Sequence, residues 1–148
     1  MISQTIAEFV GTADAENLPP EVNHAAKRSL LNFFATTLEG THDIAVETAF
    51  KTMRPFAGTG KATLIGRAER TDAMTAAFIN AAAANVHDFD DTHIRTVIHP
   101  TAPVAPPLLA LSELRLAGHG LGDCVLQQGA DIIIFVELPY GLNQFFGA

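Results

Sequence analysis

Leu18-Pro19-Pro20-Glu21-Val22-Asn23-His24-Ala25-Ala26-Lys27-Arg28-Ser29-Leu30-Leu31-Asn32-Phe33-Phe34-Ala35-Thr36-Thr37-Leu38-Glu39-Gly40 decides the architecture. Proline in the first turn of a helix forfeits no hydrogen bond, because that N–H has no partner in any case. Val22, Ala26, Leu30, Phe33, Phe34 and Leu38 then recur at helical spacing and are expected to line one buried face. Gly40 is the expected stop.

Reading outward, the same periodicity predicts a short helix ending near Gly11, with Ile2, Ile6, Phe9 and Val10 on its apolar side. A further helix is expected from about Ile44 to Met53, with Ala45, Ala49, Phe50 and Met53 inward and Pro55 ending it. Gly58 to Gly66 breaks the pattern and suggests a loop with at most one extended segment. Gly58 and Gly60 before Lys61 lack the spacing and the Lys-Ser/Thr pair of a phosphate loop. Thr71-Asp72 caps an alanine-rich helix over Ala73 to Asn85, whose small side chains let neighbours approach closely. After a polar segment from Val86 to Pro100, a helix is expected from about Pro103 to Arg115, with Leu108, Leu109, Leu111 and Leu114 as its apolar face. A last apolar stretch runs from Asp123 towards Val136 before Pro139 and Gly141. The expected class is all-α, a helical bundle in a single domain over residues 1–148.

Composition agrees. Of 148 residues, 48% are hydrophobic and only 17% charged, below the usual quarter, so part of the surface is expected to be covered by a partner or by further chain. Tryptophan is absent and alanine dominates, which favours close-packed helices over a β-sandwich. The net charge of −7 argues against nucleic-acid binding. The single cysteine, Cys124, excludes an internal disulfide framework and fits a reducing, cytoplasmic setting. The run Ile132 to Val136 is far shorter than the ~20 residues of a membrane helix, and Met1-Ile2-Ser3-Gln4, without a basic region before a long apolar stretch, is not expected to open a secretory signal.

Chemistry concentrates in His87-Asp88-Phe89-Asp90-Asp91-Thr92-His93 and the following His99-Pro100. Three of the six histidines and three carboxylates fall within thirteen positions. Three readings stay open on residue types alone. The groups form a general acid–base set, since imidazole titrates near neutrality. They bind a divalent ion, although no paired spacing such as His-Glu-x-x-His is present. Or an aspartate caps a helix and the histidines are solvated.

His87-Asp88-Phe89-Asp90-Asp91-Thr92, His99-Pro100-Thr101 and Leu108-Leu109-Ala110-Leu111-Ser112-Glu113, taken together, resemble the signature block of the MmgE/PrpD family. Ser29 to Gly40, Ala62-Thr63-Leu64-Ile65-Gly66 and Asn80 to Asn85 resemble other family blocks in the same order. The resemblance covers about residues 18–114 and is weak over 119–148. It implies the large helical domain of lyases and epimerases that act on small di- or tricarboxylates by proton abstraction, as 2-methylcitrate dehydratase, cis-aconitate decarboxylase and iminodisuccinate epimerase do. It also implies a second lid domain, which this chain is expected to lack, a dimer, and no required metal or organic cofactor.

Carried over by resemblance, Asp88, Thr92 and His99 fall on the pocket positions. His99 is then the expected proton carrier or hydrogen-bond donor, Thr92 the ligand of a substrate oxygen, and Asp88 the residue that orients an imidazole or lysine. His87, Asp91, His93 and Arg95 are expected in substrate binding or in support of the first three, and Asp90 is expected to be structural. The interval from Thr92 to His99 is longer than in some members. The resemblance further implies an incomplete enzyme, because the family draws lysines, a histidine and a tyrosine from later in its chains. A polycarboxylate needs cations, and Lys61, Arg67, Arg70 and Arg95 are a thin set. A homo-oligomer or a complementing chain is therefore expected. The alternative is a non-catalytic helical oligomerisation or carboxylate-binding module.

Overall fold

The computed structural model describes residues 2–12 and 18–115. In order these form α1 (Ile2–Thr12), α2 (Pro20–Gly40), α3 (Ile44–Met53), a 3-10 turn (Arg54–Phe56), β1 (Ala62–Thr63), β2 (Arg70–Thr71), α4 (Ala73–Asn85) and α5 (Thr101–Arg115). The domain is all-α but for one two-stranded ladder. The apolar stretch from Asp123, Cys124 and the rest of 116–148 lie outside the described residues. No helix among those described is long and apolar enough to cross a membrane.

The alanine-rich helix is the centre. With apolar residues on all sides, α4 packs against α2, α3 and α5, as expected of a helix with no polar face to give to water. One core lies on its α3 side, where Val46, Phe50, Leu64, Ala76, Ile79 and Ala83 meet, and the other gathers Phe33, Ala84, Ala102, Ala105 and Leu109 from α2, α4 and α5. Asp72 caps α4 as expected. Its carboxylate accepts the Thr75 amide at 3.0 Å, the Thr75 hydroxyl at 2.8 Å and the Gly58 amide at 3.1 Å. These bonds favour the charged form and hold the Asp72 carboxyl below its ordinary range.

The helices sit where periodicity puts them, and their buried faces agree in part: Ala26, Phe33, Phe50 and Leu109 are buried as expected, with Leu30, Phe34, Ala49, Met53 and Leu108 packed partly buried against the cores. On α2 the buried residues are Ala26, Ser29, Phe33, Thr37 and Gly40, while Leu38 is 55% exposed. Close approach explains the rotation. A Cβ built on Gly40 would stand 2.1 Å from the Ala83 carbonyl oxygen, so only glycine lets α2 meet α4 there. Gly40 is thus the last residue of the helix and a packing residue. On α3, Val46 and Phe50 are buried while Ala45 is exposed. Helix α5 begins at Thr101 and buries Ala102, Ala105, Leu109 and Ala110, leaving Leu111 and Leu114 about half exposed.

The segment read as holding at most one strand holds two. Ala62 pairs with Thr71 and Thr63 with Arg70, antiparallel, across a turn in which Gly66 has φ of 78°. Polar side chains clamp β1 from both sides. Asn80 of α4 donates from Nδ2 to the Thr63 carbonyl and accepts the Ile65 amide at Oδ1, each at 2.9 Å. Glu113 of α5 accepts the Thr63 amide at 2.7 Å and the Thr63 hydroxyl at 2.5 Å.

Candidate active site

The loop between α4 and α5 is shaped by its own backbone. Asp88 has φ of 58° and Val97 φ of 53°. Aspartate adopts this left-handed region more readily than most residues, but a β-branched valine there stores about 1–3 kcal/mol of strain. What holds Val97 is a closed turn. His93 and Ile98 form an antiparallel bridge, and the His93 carbonyl accepts the amides of Thr96 at 3.1 Å and Val97 at 2.8 Å. The ring of His93, 8% exposed, bonds the Thr96 hydroxyl through Nδ1 at 2.7 Å. This bridge brings the chain back on itself, so Thr92 and His99 become neighbours despite the long interval. Thr92 Oγ1 lies 3.4 Å from His99 Nδ1.

His99 is the hub. Its Nδ1 is 3.1 Å from Asp90 Oδ1 and its Nε2 is 3.4 Å from Asp88 Oδ1. The two carboxylates differ in setting. The Asp90 side chain is 1% exposed, that of Asp88 81%, and that of His99 28%. A buried carboxylate is costly unless its lone pairs are satisfied. Asn85, the last residue of α4, supplies that by donating Nδ2 to both Asp90 oxygens, at 3.1 and 3.2 Å. Thr92 donates its hydroxyl to the Asp90 carbonyl at 3.3 Å.

Donor atoms of Asp88, Asp90 and His99 all lie within 4.8 Å of one another, a span that an ion could bridge. Three donors are fewer than the four of a structural zinc site. His99 meets the two carboxylates with different ring nitrogens, which suits hydrogen bonding better than chelation of one ion.

The family model of the MmgE/PrpD N-terminal domain matches residues 4–133. The chain belongs to the MmgE/PrpD family. A cis-aconitate decarboxylase-like protein, oryM of Aspergillus oryzae (strain ATCC 42149 / RIB 40), is 26% identical over 118 residues. That match covers 80% of this chain but only 24% of the relative.

Within this MmgE/PrpD chain, the motif residues divide by geometry. Asp88, Thr92 and His99 are together. Asp90, read from sequence as structural, stands between Asn85 and His99. Asp91 turns away, its carboxylate accepting the Thr101 amide at 3.2 Å and the Thr101 hydroxyl, so that it closes the first turn of α5. His87 pairs instead with Glu39 of α2, Nε2 to Oε2 at 2.8 Å. His93 braces the loop, and Arg95 is on its exposed part. Sequence reasoning missed Asn85 as a site residue; its place at the end of a mostly apolar helix, directly before the acidic motif, was the available signal.

Two of the early cations are occupied elsewhere. Arg67, 5% exposed, pairs with Glu47 at 2.8 Å, donates to the Thr41 carbonyl and hydroxyl, and stacks 5.3 Å over Phe50. The guanidinium, helped by His42, holds the Glu47 carboxyl below its ordinary range. Arg70 donates to the Lys61 carbonyl at 2.7 Å and lies 3.9 Å from Glu113. Beside the motif, a groove of about 600 Å³ along α2 brings Arg28 and Asn32 alongside Asp91.

Proposed function

We propose that this chain supplies the proton-handling part of a lyase acting on small di- or tricarboxylates. The shared chemistry is proton transfer at a carbon next to a carboxylate, from which dehydration, decarboxylation or epimerisation follows. His99 carries the proton, Thr92 binds a substrate oxygen, and Asp88 stabilises the imidazolium from the exposed side. One observation supports the reading above the rest: His99 lies within 3.4 Å of both Asp88 and Thr92, the three residues that the sequence resemblance places on the pocket positions. An imidazole partly open to solvent, beside a hydroxyl and two carboxylates, has the groups general acid–base catalysis needs.

We further propose that a turnover needs residues from outside the described part, from later chain or from a second polypeptide. The support is electrostatic. Two carboxylates flank His99, and Arg67 and Arg70 are engaged with Glu47 and Glu113. A substrate di- or trianion brought against them would be repelled without further cations. Large apolar side chains around the motif, Phe89 at 77% and Ile94 at 85% exposed, suit burial against that missing surface.

The test is complementation. The purified chain is assayed for release of water or carbon dioxide from citrate-like acids, alone and with the remainder of a family lyase as a separate polypeptide. No turnover is expected alone, with turnover in the mixture and at least a hundredfold loss in the His99→Ala mixture, within the range of general acid–base catalysis. Turnover by the chain alone would refute the need for a complement. Complemented activity indifferent to His99→Ala would refute the site.

A further inference from the structure

The environment of His99 fixes which of its nitrogens carries the proton. On the Nδ1 side both neighbours are acceptors. Asp90 Oδ1 is 3.1 Å away, on a carboxylate whose side chain is 1% exposed. Thr92 Oγ1, at 3.4 Å, has directed its own proton to the Asp90 carbonyl. A lone pair at Nδ1 would face two oxygens with no donor between them, the nearer one on the buried Asp90 side chain. On the Nε2 side the only close group described is Asp88, at 3.4 Å and 81% exposed, which water can solvate. The two faces of the ring are therefore unequal.

Asn85 makes the inequality rigid. Its Nδ2 donates to both Asp90 oxygens, at 3.1 and 3.2 Å. The carboxylate is thus held by a residue of the central helix, a firmer support than another loop residue would give. Asp90 cannot rotate away from His99 without breaking both contacts.

We propose that Asp90, braced by Asn85, locks neutral His99 as the Nδ1–H tautomer, so that Nε2 is the atom that exchanges a proton with substrate. Asp90 and Asn85 are positioning residues; neither needs to touch substrate. The proton balance is simple. The Nε2 lone pair takes a proton from the substrate carbon, giving an imidazolium whose Nδ1–H stays on Asp90, and Nε2 later returns a proton. The orientation of an imidazole by a carboxylate on its second nitrogen is a recurrent catalytic device. Its use in turnover rests on the reading of His99 as the proton carrier; the tautomer itself does not.

The experiment needs no ligand. Long-range 1H–15N correlation on the 15N-labelled chain, at a pH where the histidines are neutral, reports the tautomer of each ring. His99 is expected as nearly pure Nδ1–H in the native chain. In Asp90→Ala it is expected to move to mainly Nε2–H, the form free imidazole side chains favour. In Asn85→Ala, which keeps the carboxylate, a mixture is expected. His87, whose Nε2 faces Glu39, serves as an internal control that none of these substitutions should alter. Native His99 found as Nε2–H, or an Asp90→Ala spectrum unchanged at His99, would overturn the proposal. Should Asp90→Ala not fold, the native chain and Asn85→Ala still decide it, since an Nδ1–H form undiminished in Asn85→Ala would remove the brace. A locked tautomer in a chain that fails the complementation assay would sink the lyase reading and leave this one standing.

Discussion

Asp91→Ala separates a structural aspartate from a catalytic one. The Asp91 carboxylate accepts the Thr101 amide at 3.2 Å and the Thr101 hydroxyl, and Thr101 is 1% exposed. Removing the carboxylate takes away a helix-start acceptor, a loss of typically about 1 kcal/mol. It also leaves a buried hydroxyl unsatisfied, which costs about 1–3 kcal/mol. The sum, about 2–4 kcal/mol, is a large share of the roughly 5–15 kcal/mol that holds a domain together. Equilibrium urea unfolding followed by circular dichroism measures it. With an m-value of about 2 kcal/mol/M, the midpoint should fall by about 1–2 M. Asp91→Asn, which keeps one acceptor oxygen, should fall by about half as much. A double-mutant cycle with Thr101→Ala should give a coupling of about 1–3 kcal/mol. If Asp91 instead served substrate, Asp91→Ala would leave the unfolding free energy within about 0.5 kcal/mol of the native chain and change ligand binding alone. That result would refute the assignment.

Three other perturbations follow from the fold. Asn80→Ala strands the Ile65 amide and the Thr63 carbonyl, and should cost about 2–4 kcal/mol in the same urea assay. Gly40→Ala drives a Cβ to 2.1 Å from a backbone oxygen that cannot swing aside, so α2 and α4 must separate, at about 1–3 kcal/mol or more. Asp72→Ala should cost about 1 kcal/mol near neutral pH through loss of the α4 cap. Because folding lowers the Asp72 pKa, its contribution is fully present above the unfolded value near 3.8 and is lost as pH falls through the lower folded value. The difference between native and Asp72→Ala chains should therefore shrink on acidification, in thermal melts taken from pH 6 down to pH 3.

Helices were legible because their start signals are local. Pro19-Pro20 and Asp72 open α2 and α4 as expected from the sequence, and Asp43, whose carboxylate accepts the Ala45 amide, opens α3. Faces were less legible, because hydrophobic periodicity weighs large side chains while close helix packing selects small ones. Leu38 scores highly and is exposed; Gly40 scores nothing and touches α4. The second strand, Arg70-Thr71, has two residues and no alternation, and it exists because Asn80 and Glu113 hold β1 in place beside it.

The motif's chemistry was legible as a cluster, and its membership was not. Three aspartates in four positions look alike in sequence. The left-handed turn at Asp88 and the bridge from His93 to Ile98 send Asp90 to His99 and Asp91 to Thr101. Neither feature has a sequence signature of its own. Valine at a positive φ is the opposite of one, since local preference argues against it.

The proposed function depends on Asp88, Thr92 and His99 jointly receiving a carboxylate-bearing molecule. Amide and imidazole NMR shifts of the 15N-labelled chain, mixed with the complementing remainder of a family lyase and followed through a titration with citrate, test this most directly. Saturable shifts centred on Asp88, Thr92 and His99, and abolished by His99→Ala with the fold intact, are the predicted result. A native chain whose motif signals stay still while citrate perturbs other surfaces, or none, would contradict it.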